Sequence, residues 1–374
     1  MKIAMIGHKR IPSREGGIEI VVERLSSLLA SYGNEVVAYN RKGHHVSGKE
    51  YGEGGGVVLG VKLREVFTFQ NSKLNAIVYS FLATLRAVFG RFDVIHYHAE
   101  GPAAMCFLPK LLCPRTKVVV TIHGLDWQRA KWGGFATKFL LFGEKTAAKY
   151  ADRIIVLSSN VQQYFLDTYG RATVYIPNGI DRPEAAPAEI IKEKYQLEKD
   201  DYLLYLGRIV PEKRVDLLVE AYKKIETDTR LVIAGGSSHT DEYFEKVKEL
   251  AKDDGRIIFT GFVEGKELEE LYSNAYIYVL PSELEGMPLS LLEAMSYSDC
   301  CLTSAIPECT EVCEDRAEYF ERFDADCLAD KLIDMINNEN LVSRRKSEAA
   351  DFICDKYNWD DIAQKTLKLY QGKR

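Results

Sequence analysis

Two glutamates, Glu285 and Glu293, bracket a turn that is followed by a helix-forming segment. The apolar run at 275–280 predicts a buried strand that leads directly into this turn. We place Pro288 at the first helical position, where the amide that proline lacks would be unpaired in any case. The free amides at such a helix start favour an anion. A capped core helix with two incidental acids is the alternative, so the remaining residues must decide.

Two basic loops offer positive charge to an anionic ligand. The first follows a predicted strand at 2–7 and reads GHKRIPSREGGIE, in which Gly16 and Gly17 let the backbone approach a phosphate. The second contains Arg208 and Lys213, which suit a diphosphate because arginine binds bidentately and lysine neutralises charge. Neither loop has a dinucleotide fingerprint or a Walker lysine, which disfavours NAD and ATP. A helix-entry turn and solvated surface cations are the alternatives.

Strand-type apolar runs alternate with helix-period segments along the chain, a pattern typical of parallel sheets covered on both faces. The pattern restarts with a strand at 201–207, after a segment at 177–187 that is rich in proline, asparagine and glycine. We therefore predict an α/β protein with two doubly wound Rossmann-like domains facing a central cleft. Ligands would bind at the carboxyl ends of the strands.

Composition restricts the class of protein further. A chain of 374 residues with 46% hydrophobic and 28% charged residues is typical of a soluble protein with two domains. The first apolar run is too short for a signal peptide. The eight cysteines include no C-x-x-C pair, which favours free cytosolic thiols over disulfides or a zinc site. The D-x-D motif at Asp324 and Asp326 is expected to cap a helix rather than bind a metal.

The two halves of the chain differ in charge. Residues 1–180 contain 23 Lys and Arg against 13 Asp and Glu, a net charge of +10, whereas the remainder has a net charge of −16. Segments 75–91 and 129–149 combine cations with large apolar side chains, which suits peripheral contact with an anionic membrane. Burial of both segments in the first domain is the alternative. Nucleic acid is disfavoured, because no stacking platform accompanies the charge.

Together the motifs resemble those of the retaining nucleotide-sugar glycosyltransferases of the GT-B fold, family 4. The resemblance covers nearly the whole chain. It rests on G-G-I-E at 16–19, H-G-L-D at 123–126, P-N-G-I-D at 177–181, G-R-x4-K at 207–213 and E-x7-E at 285–293. Two stretches, HAEGPA at 98–103 and HGLDWQRAKWG at 123–133, are similar to bacterial capsule and exopolysaccharide rhamnosyltransferases.

The resemblance implies a role for each matching residue. Arg208 and Lys213 would neutralise the departing nucleotide diphosphate. Glu293 would accept the ribose hydroxyls, and Glu285 would bind hydroxyls of the donor sugar. His123 would contact the donor sugar near the reacting centre, with Asp126 on the acceptor side. Further donor contacts would come from Gly16, Gly17, the base-binding segment Gly261, Phe262 and Val263, and the phosphate-binding amides of Gly286, Met287 and Leu289.

The resemblance also implies the reaction. It is a retaining hexosyl transfer from a dTDP- or UDP-sugar, with dTDP-L-rhamnose as one candidate, and needs no metal or other cofactor. The acceptor would be a lipid-linked glycan, at the inner face of the cell membrane and in the cytoplasm. The implied domains are 1–180, to which helix 358–374 returns, and 181–357.

One segment departs from the family pattern, since Ser298 and Asp299 stand where a Gly-x-Pro turn is common. The alternatives are a nucleotide-sugar epimerase of the same fold, a sugar phosphorylase and a catalytically inactive sugar-binding subunit. A phosphorylase would need a lysine that holds pyridoxal phosphate, and no motif supports one. An epimerase would interconvert donors without an acceptor.

Overall fold

The chain forms two compact units. The computed structural model describes residues 1–14, 16–43, 55–69, 74–129, 133–237 and 240–372. One unit comprises Met1–Gly179 and Trp359–Arg374, and the other comprises Ile180–Asn358. The chain therefore passes between the units twice, once within the proline- and glycine-rich segment 177–187 and once just before the final helix.

The first unit alternates strands with helices. Its elements in chain order are β1 (Lys2–Ile6), α1 (Gly17–Ser31), β2 (Glu35–Arg41), β3 (Gly56–Val58), β4 (Val61–Val66), α2 (Asn75–Phe89), β5 (Val94–His98), α3 (Glu100–Ala103), α4 (Phe107–Leu112), β6 (Lys117–Ile122), a 3₁₀ turn at Asp126–Gln128, α5 (Phe135–Tyr150), β7 (Arg153–Val156), α6 (Ser159–Tyr169) and β8 (Val174–Tyr175). The last helix of the chain also belongs to this unit.

The strands of the first unit form one sheet in the order β3-β4-β2-β1-β5-β6-β7-β8. Among the described residues every strand pair is parallel except the β3–β4 hairpin. Strands β5 and β6 are buried along their whole length, as is expected of central strands in a parallel sheet that is covered on both faces. The strand order reverses between β1 and β5. Ligands of such sheets bind at this switch point, beyond the carboxyl ends of the strands.

The second unit repeats this design. Its elements are α7 (Ile190–Tyr195), β9 (Tyr202–Leu206), a 3₁₀ turn at Pro211–Lys213, α8 (Val215–Tyr222), β10 (Arg230–Ala234), α9 (Asp241–Ala251), β11 (Ile257–Gly261), α10 (Lys266–Ser273), β12 (Ile277–Leu280), α11 (Leu289–Ser296), β13 (Cys300–Ser304), α12 (Pro307–Cys313), β14 (Glu318–Phe320), α13 (Ala325–Ile336) and α14 (Glu339–Lys356). The final helix, α15, is Trp359–Gln371.

The second sheet is parallel throughout its described pairs and has the order β11-β10-β9-β12-β13-β14. Its switch point lies between β9 and β12, so the loops that follow these two strands open side by side. These loops contain the motifs G-R-x4-K and E-x7-E. The prediction of two Rossmann-like α/β domains is confirmed.

The last helix, α15, is Trp359–Gln371, which agrees with the helix predicted at 358–374. Helix α14 ends at Lys356 and α15 begins at Trp359, because α14 packs in the second unit and α15 in the first. The hydroxyl group of Tyr370 lies 2.6 Å from His96 Nδ1, and Lys117 Nζ donates to the carbonyl oxygen of Tyr370 over 2.8 Å. These buried contacts bind α15 to the first sheet.

The cysteines and the D-x-D motif have structural explanations. All eight cysteines are free thiols. Asp324 is the N-cap of α13, where its carboxylate accepts the amides of Asp326 and Cys327 over 3.0 and 2.9 Å, as predicted. Within the described residues, no three His, Cys, Asp or Glu side chains lie together as a metal site would require. In the same part of the chain, each helix is too short or too polar to cross a membrane.

Candidate functional site

The switch point of the second sheet brings Lys213 and Glu285 together. Lys213 ends the 3₁₀ turn after β9, and Glu285 lies in the loop between β12 and α11. Lys213 Nζ donates to Glu285 Oε1 over 2.5 Å, and the two side chains are only 13% and 8% exposed. The amide of Glu283 also donates to the carbonyl oxygen of Glu212 over 2.9 Å. The two loops therefore form one structure, in which a poorly solvated ammonium group is held by a carboxylate.

The start of α11 differs from the sequence prediction. Pro288 is the N-cap residue, with φ −76° and ψ 94°, and the first helical residue is Leu289. The carbonyl oxygen of Pro288 accepts the amides of Leu291 and Leu292 over 3.1 and 3.2 Å. The prediction of Pro288 at the first helical position was therefore wrong, because its extended ψ places it outside the helix. Gly286 and Met287 lie in the loop before the cap.

Glu293 lies near the start of α11, where a hydrogen bond from Tyr272 fixes its position. The Tyr272 hydroxyl donates to Glu293 Oε2 over 3.1 Å, and the Tyr272 ring stacks on Tyr297 at 5.4 Å between centroids. Burial raises the pKa of Tyr272 well above its usual value, and the Glu293 charge raises it further. Tyr272 therefore stays protonated and remains a donor to the carboxylate.

Arg208 and the segment Gly261–Val263 lie at the carboxyl ends of β9 and β11, the two strands that flank β10. The Tyr205 hydroxyl donates to the Arg208 carbonyl oxygen over 2.8 Å. Gly235, which follows β10, has φ +135°, and a Cβ there would lie 1.8 Å from the carbonyl oxygen of Gly207. Only glycine fits this approach. The Gly235 amide donates to the Gly261 carbonyl oxygen over 2.8 Å, and the next side chain, Phe262, is 51% exposed.

The glycine-rich loop of the first unit is closed by acidic side chains. Gly16 is the N-cap residue of α1 and Gly17 is its first residue. Glu19 Oε1 accepts the amide of Lys9 over 2.8 Å, and Glu23 Oε2 accepts the amide of Ser13 over 3.3 Å. The amides of Lys9 and Ser13 are therefore occupied by side chains of α1. The donor contact of Gly16 and Gly17 stays a prediction.

His123 and Asp126 follow β6 at the carboxyl edge of the first sheet. His123 Nε2 lies 3.1 Å from Nδ1 of His98, which ends the adjacent strand β5. Burial lowers the pKa of His123 to about 4, and the charge of Arg129 adds to this effect against the opposing effect of Asp126. His123 is therefore a neutral imidazole at physiological pH. The Asp126 carboxylate forms an ion pair with Arg129 over 3.0 Å.

Three residues around this loop were given no role by the sequence. His98 and Glu100 lie in the HAEGPA stretch, which served only to identify a branch of the family, and Glu144 lies within an apparently amphipathic helix. All three side chains are 0% exposed. The sequence contained one signal for Glu144, namely that it is a charged residue on the apolar side of its helix. In the structure His98 is hydrogen-bonded to His123, Glu100 to the Asp126 amide and Glu144 to the Trp127 indole.

The two segments with mixed cationic and apolar residues are helices that bury one face. In α2, Tyr79 and Ala83 are buried while Phe81 and Phe89 are 42% and 79% exposed. In α5, Phe135 and Phe142 are 72% and 52% exposed, and Leu140, Gly143 and Ala147 are buried. The predicted contribution of Lys131 and Trp132 lies outside the described residues.

Two known families match this chain, one on each unit. The family described as "Glycosyltransferase Family 4" matches residues 15–183, and the family described as "Glycosyl transferases group 1" matches residues 187–352. The two matches together cover nearly the whole chain and leave out only a short segment between the units and the two chain ends.

Curated proteins with similar sequences are glycosyltransferases and related synthases. O-antigen chain mannosyltransferase B of Escherichia coli is 27% identical over 196 residues, which is 50% of each chain. N-acetyl-alpha-D-glucosaminyl L-malate synthase of Bacillus anthracis is 25% identical over 287 residues, or 74% of each chain. The chain thus aligns with half of the mannosyltransferase and three quarters of the synthase.

Solved structures share the fold. Sucrose-phosphate synthase from Thermosynechococcus elongatus has a TM-score of 0.81 at 21% identity, with 99% of this chain and 98% of that chain covered. The Anabaena protein HepE, in complex with UDP and glucose, has a TM-score of 0.81 at 14% identity, with 99% of both chains covered. At these identities the likeness extends to the fold alone.

Proposed function

Because this chain is a family 4 glycosyltransferase with the two Rossmann-like domains of the GT-B fold, we propose that it transfers a hexosyl group from a nucleotide-sugar donor with retention of configuration. The observation that carries this proposal is the Lys213–Glu285 pair at the switch point of the second sheet, next to Arg208. A poorly solvated cation is strongly attracted to a diphosphate, since little water screens it.

The donor is a nucleoside diphosphate sugar, of the UDP or dTDP class. HepE has been solved with UDP and with UDP-glucose, which supports this donor class. Lys213 and Arg208 bind the diphosphate, and Glu285 binds sugar hydroxyls once the diphosphate competes for Lys213. Glu293 accepts the ribose hydroxyls, held in place by its hydrogen bond from Tyr272. The amides before and at the start of α11 bind the distal phosphate, and the segment at Gly261–Val263 binds the base.

Transfer takes place on the front face of the sugar without a protein nucleophile. Charge accumulates on the departing diphosphate, and Arg208 and Lys213 stabilise it there. A leaving phosphate oxygen accepts the proton of the acceptor hydroxyl. His123 contacts the donor sugar as a neutral imidazole, and Asp126 lies on the acceptor side. We propose independence of metal ions because these two cations provide the positive charge that a metal would otherwise supply.

A lipid-linked glycan at a membrane surface is the proposed acceptor, and L-rhamnose is one candidate sugar. The exposed phenylalanines of α2 and α5 support this acceptor, because apolar side chains on a basic unit suit an anionic leaflet. The similarity to an O-antigen mannosyltransferase supports a role in cell-surface polysaccharide synthesis.

A panel of donors tests the proposed activity. Purified protein is mixed with dTDP-L-rhamnose, UDP-glucose, UDP-N-acetylglucosamine or GDP-mannose and a lipid-linked acceptor, and released nucleoside diphosphate is measured. We expect release with one donor, unchanged by EDTA, and an NMR spectrum of the product with the donor's anomeric configuration. If the folded protein releases no nucleoside diphosphate with any of these donors, the proposal is refuted. Donor interconversion without acceptor would instead indicate an epimerase.

Replacing Glu293 by alanine is expected to raise the KM for the donor by roughly 10- to 100-fold, because a hydrogen bond to a charged group contributes about 1.5–3 kcal/mol. Steady-state kinetics with varied donor concentration measures this change. Glu293→Gln keeps an acceptor for Tyr272 and is the matched control for packing. An unchanged KM in Glu293→Ala would remove Glu293 from the ribose site.

A further inference from the structure

Buried carboxyl groups anchor the segment 123–129, which carries His123 and Asp126 and is called here the β6 loop. The Asp126 amide donates to Glu100 Oε2 over 3.1 Å, and Trp127 Nε1 donates to Glu144 Oε2 over 3.1 Å. Glu100 and Glu144 are fully buried. They belong to α3 and α5, so two consecutive residues of the loop are attached to two other elements of the fold.

A glycine brings the two carboxyl groups together. A Cβ at Gly143 would lie 2.0 Å from the carbonyl oxygen of Glu100, so α3 and α5 approach as closely as they do only because this side chain is missing. Glu144 is the next residue on the same buried face of α5. The charge of its carboxyl group is thereby close enough to Glu100 to contribute to the raised pKa of Glu100.

The two carboxyl groups have different hydrogen-bond partners. Glu144 Oε1 accepts the hydroxyl groups of Tyr164 and Tyr169 over 2.8 and 2.5 Å, and Glu144 Oε2 accepts the indole N–H of Trp127. Glu100 Oε1 is buried and has no hydrogen-bond donor within the described part of the chain. Burial raises the pKa of Glu100 to about 10, and the charges of Asp126 and Glu144 contribute. Glu100 is therefore a neutral acid at physiological pH.

The same stretch that contains Glu100 also holds His123. His98 is two residues before Glu100, and its Nδ1 lies 3.1 Å from His123 Nε2. Burial lowers the pKa of both rings, so each carries a single N–H, and one ring donates while the other accepts. Residues 98–100 thus hold the β6 loop at its beginning and in its middle.

We propose that Glu100 and Glu144 are positioning residues whose buried carboxyl groups hold the β6 loop in the conformation that presents His123 and Asp126 to the reacting sugar. The catalytic consequence rests on the proposed glycosyl transfer, whereas the anchoring exists without substrate. Glu100 accepts the Asp126 amide, and Glu144 accepts the Trp127 indole N–H together with two tyrosine hydroxyl groups.

Two substitutions of Glu100 separate this role from simple filling of the core. Glu100→Gln keeps an acceptor for the Asp126 amide and stays uncharged beside Glu144. Glu100→Ala removes the acceptor. We expect kcat within about twofold of wild type for Glu100→Gln and at least roughly tenfold lower for Glu100→Ala, because small displacements of reacting groups are costly. The donor KM should change little in either variant.

A substrate-free measurement tests the anchoring directly. The indole N–H resonance of Trp127 is followed in ¹⁵N-labelled protein and assigned with Trp127→Phe. We expect this resonance to stay in place in Glu100→Gln and to shift in Glu100→Ala. Glu35→Gln is the control, because Glu35 on β2 forms an exposed ion pair with Lys62. This variant should change neither the Trp127 resonance nor kcat.

Equal losses of kcat in Glu100→Gln and Glu100→Ala, or an unmoved Trp127 resonance in Glu100→Ala, would overturn the proposal. If Glu100→Ala does not fold, Trp127→Phe provides the test, since it deletes the indole donor and keeps an aromatic ring. It should lower kcat several-fold without lowering donor affinity, and full activity would contradict the anchoring. If wild type turns over no donor, the proposed function fails, and the NMR comparison still decides whether Glu100 and Glu144 hold the loop.

Discussion

Replacing Lys213 by alanine is expected to lower kcat by on the order of 10²- to 10³-fold, since removing one donor to developing charge typically costs about 3–4 kcal/mol of transition-state stabilisation. Lys213 Nζ is held 2.5 Å from Glu285 Oε1 and is only partly exposed, so water replaces it poorly. Steady-state release of nucleoside diphosphate measures the change. A kcat within threefold of wild type in a folded variant would remove Lys213 from the diphosphate site.

A second substitution separates lost chemistry from lost stability. Lys213→Ala leaves the Glu285 carboxylate buried without its cation, which is expected to cost about 1–3 kcal/mol of unfolding free energy. In Lys213→Ala with Glu285→Gln the uncompensated charge is gone, so stability should recover while kcat stays low. Lys224→Ala is the matched control, because Lys224 forms an exposed ion pair with Asp326 in the same unit. Recovery of kcat together with stability would show that Lys213 acts only through folding.

Acidification from pH 6.5 to pH 4 is expected to destabilise the first unit, because its core contains histidines that stay neutral when folded. Burial lowers the pKa of His8 to about 4 and of His96 to about 3, and it lowers the pKa of His98 well below its usual value. Below pH 6.5 the unfolded chain binds protons that the folded chain does not. Each histidine then removes up to about 1.4 kcal/mol of unfolding free energy per pH unit.

Glu100 has the opposite effect on stability. Its pKa is raised to about 10, so the folded chain keeps a proton that the unfolded chain loses above about pH 4.5. Stability from this group therefore declines as pH rises, and the first unit should be most stable near pH 6.5–7, where the histidine effect ends.

Urea unfolding followed by tryptophan fluorescence measures this profile, because all three tryptophans belong to the sequence of the first unit. His8→Gln keeps a donor to Asn40. Below pH 6.5 it should reduce the slope of unfolding free energy against pH by about one proton. Glu100→Gln should reduce the loss of unfolding free energy as the pH rises above 7. A free energy of unfolding that is constant from pH 6.5 to pH 5 would contradict the assignment of neutral buried histidines.

Periodicity was sufficient for long elements and insufficient for short ones. The helix predicted at 358–374 is observed as α15, Trp359–Gln371, because its apolar positions recur at helical spacing. The four-residue helix α3 was missed, since one turn has no period to detect. Pro288 was placed one position too far into its helix, because a proline is tolerated both at the cap and at the first helical position.

The sequence by itself determined the alternation of strands and helices and the order of the motifs, because each depends on residues close together in the chain. It therefore predicted the two-domain fold and the family, and it proposed Arg208, Lys213, Glu285 and Glu293 as donor-site residues. Only the tertiary structure decided the state of these groups. It paired Lys213 with Glu285, which are 72 positions apart, and Glu100 with Glu144. Charge and protonation depend on burial and on neighbours from other elements, and packing alone brings those neighbours together.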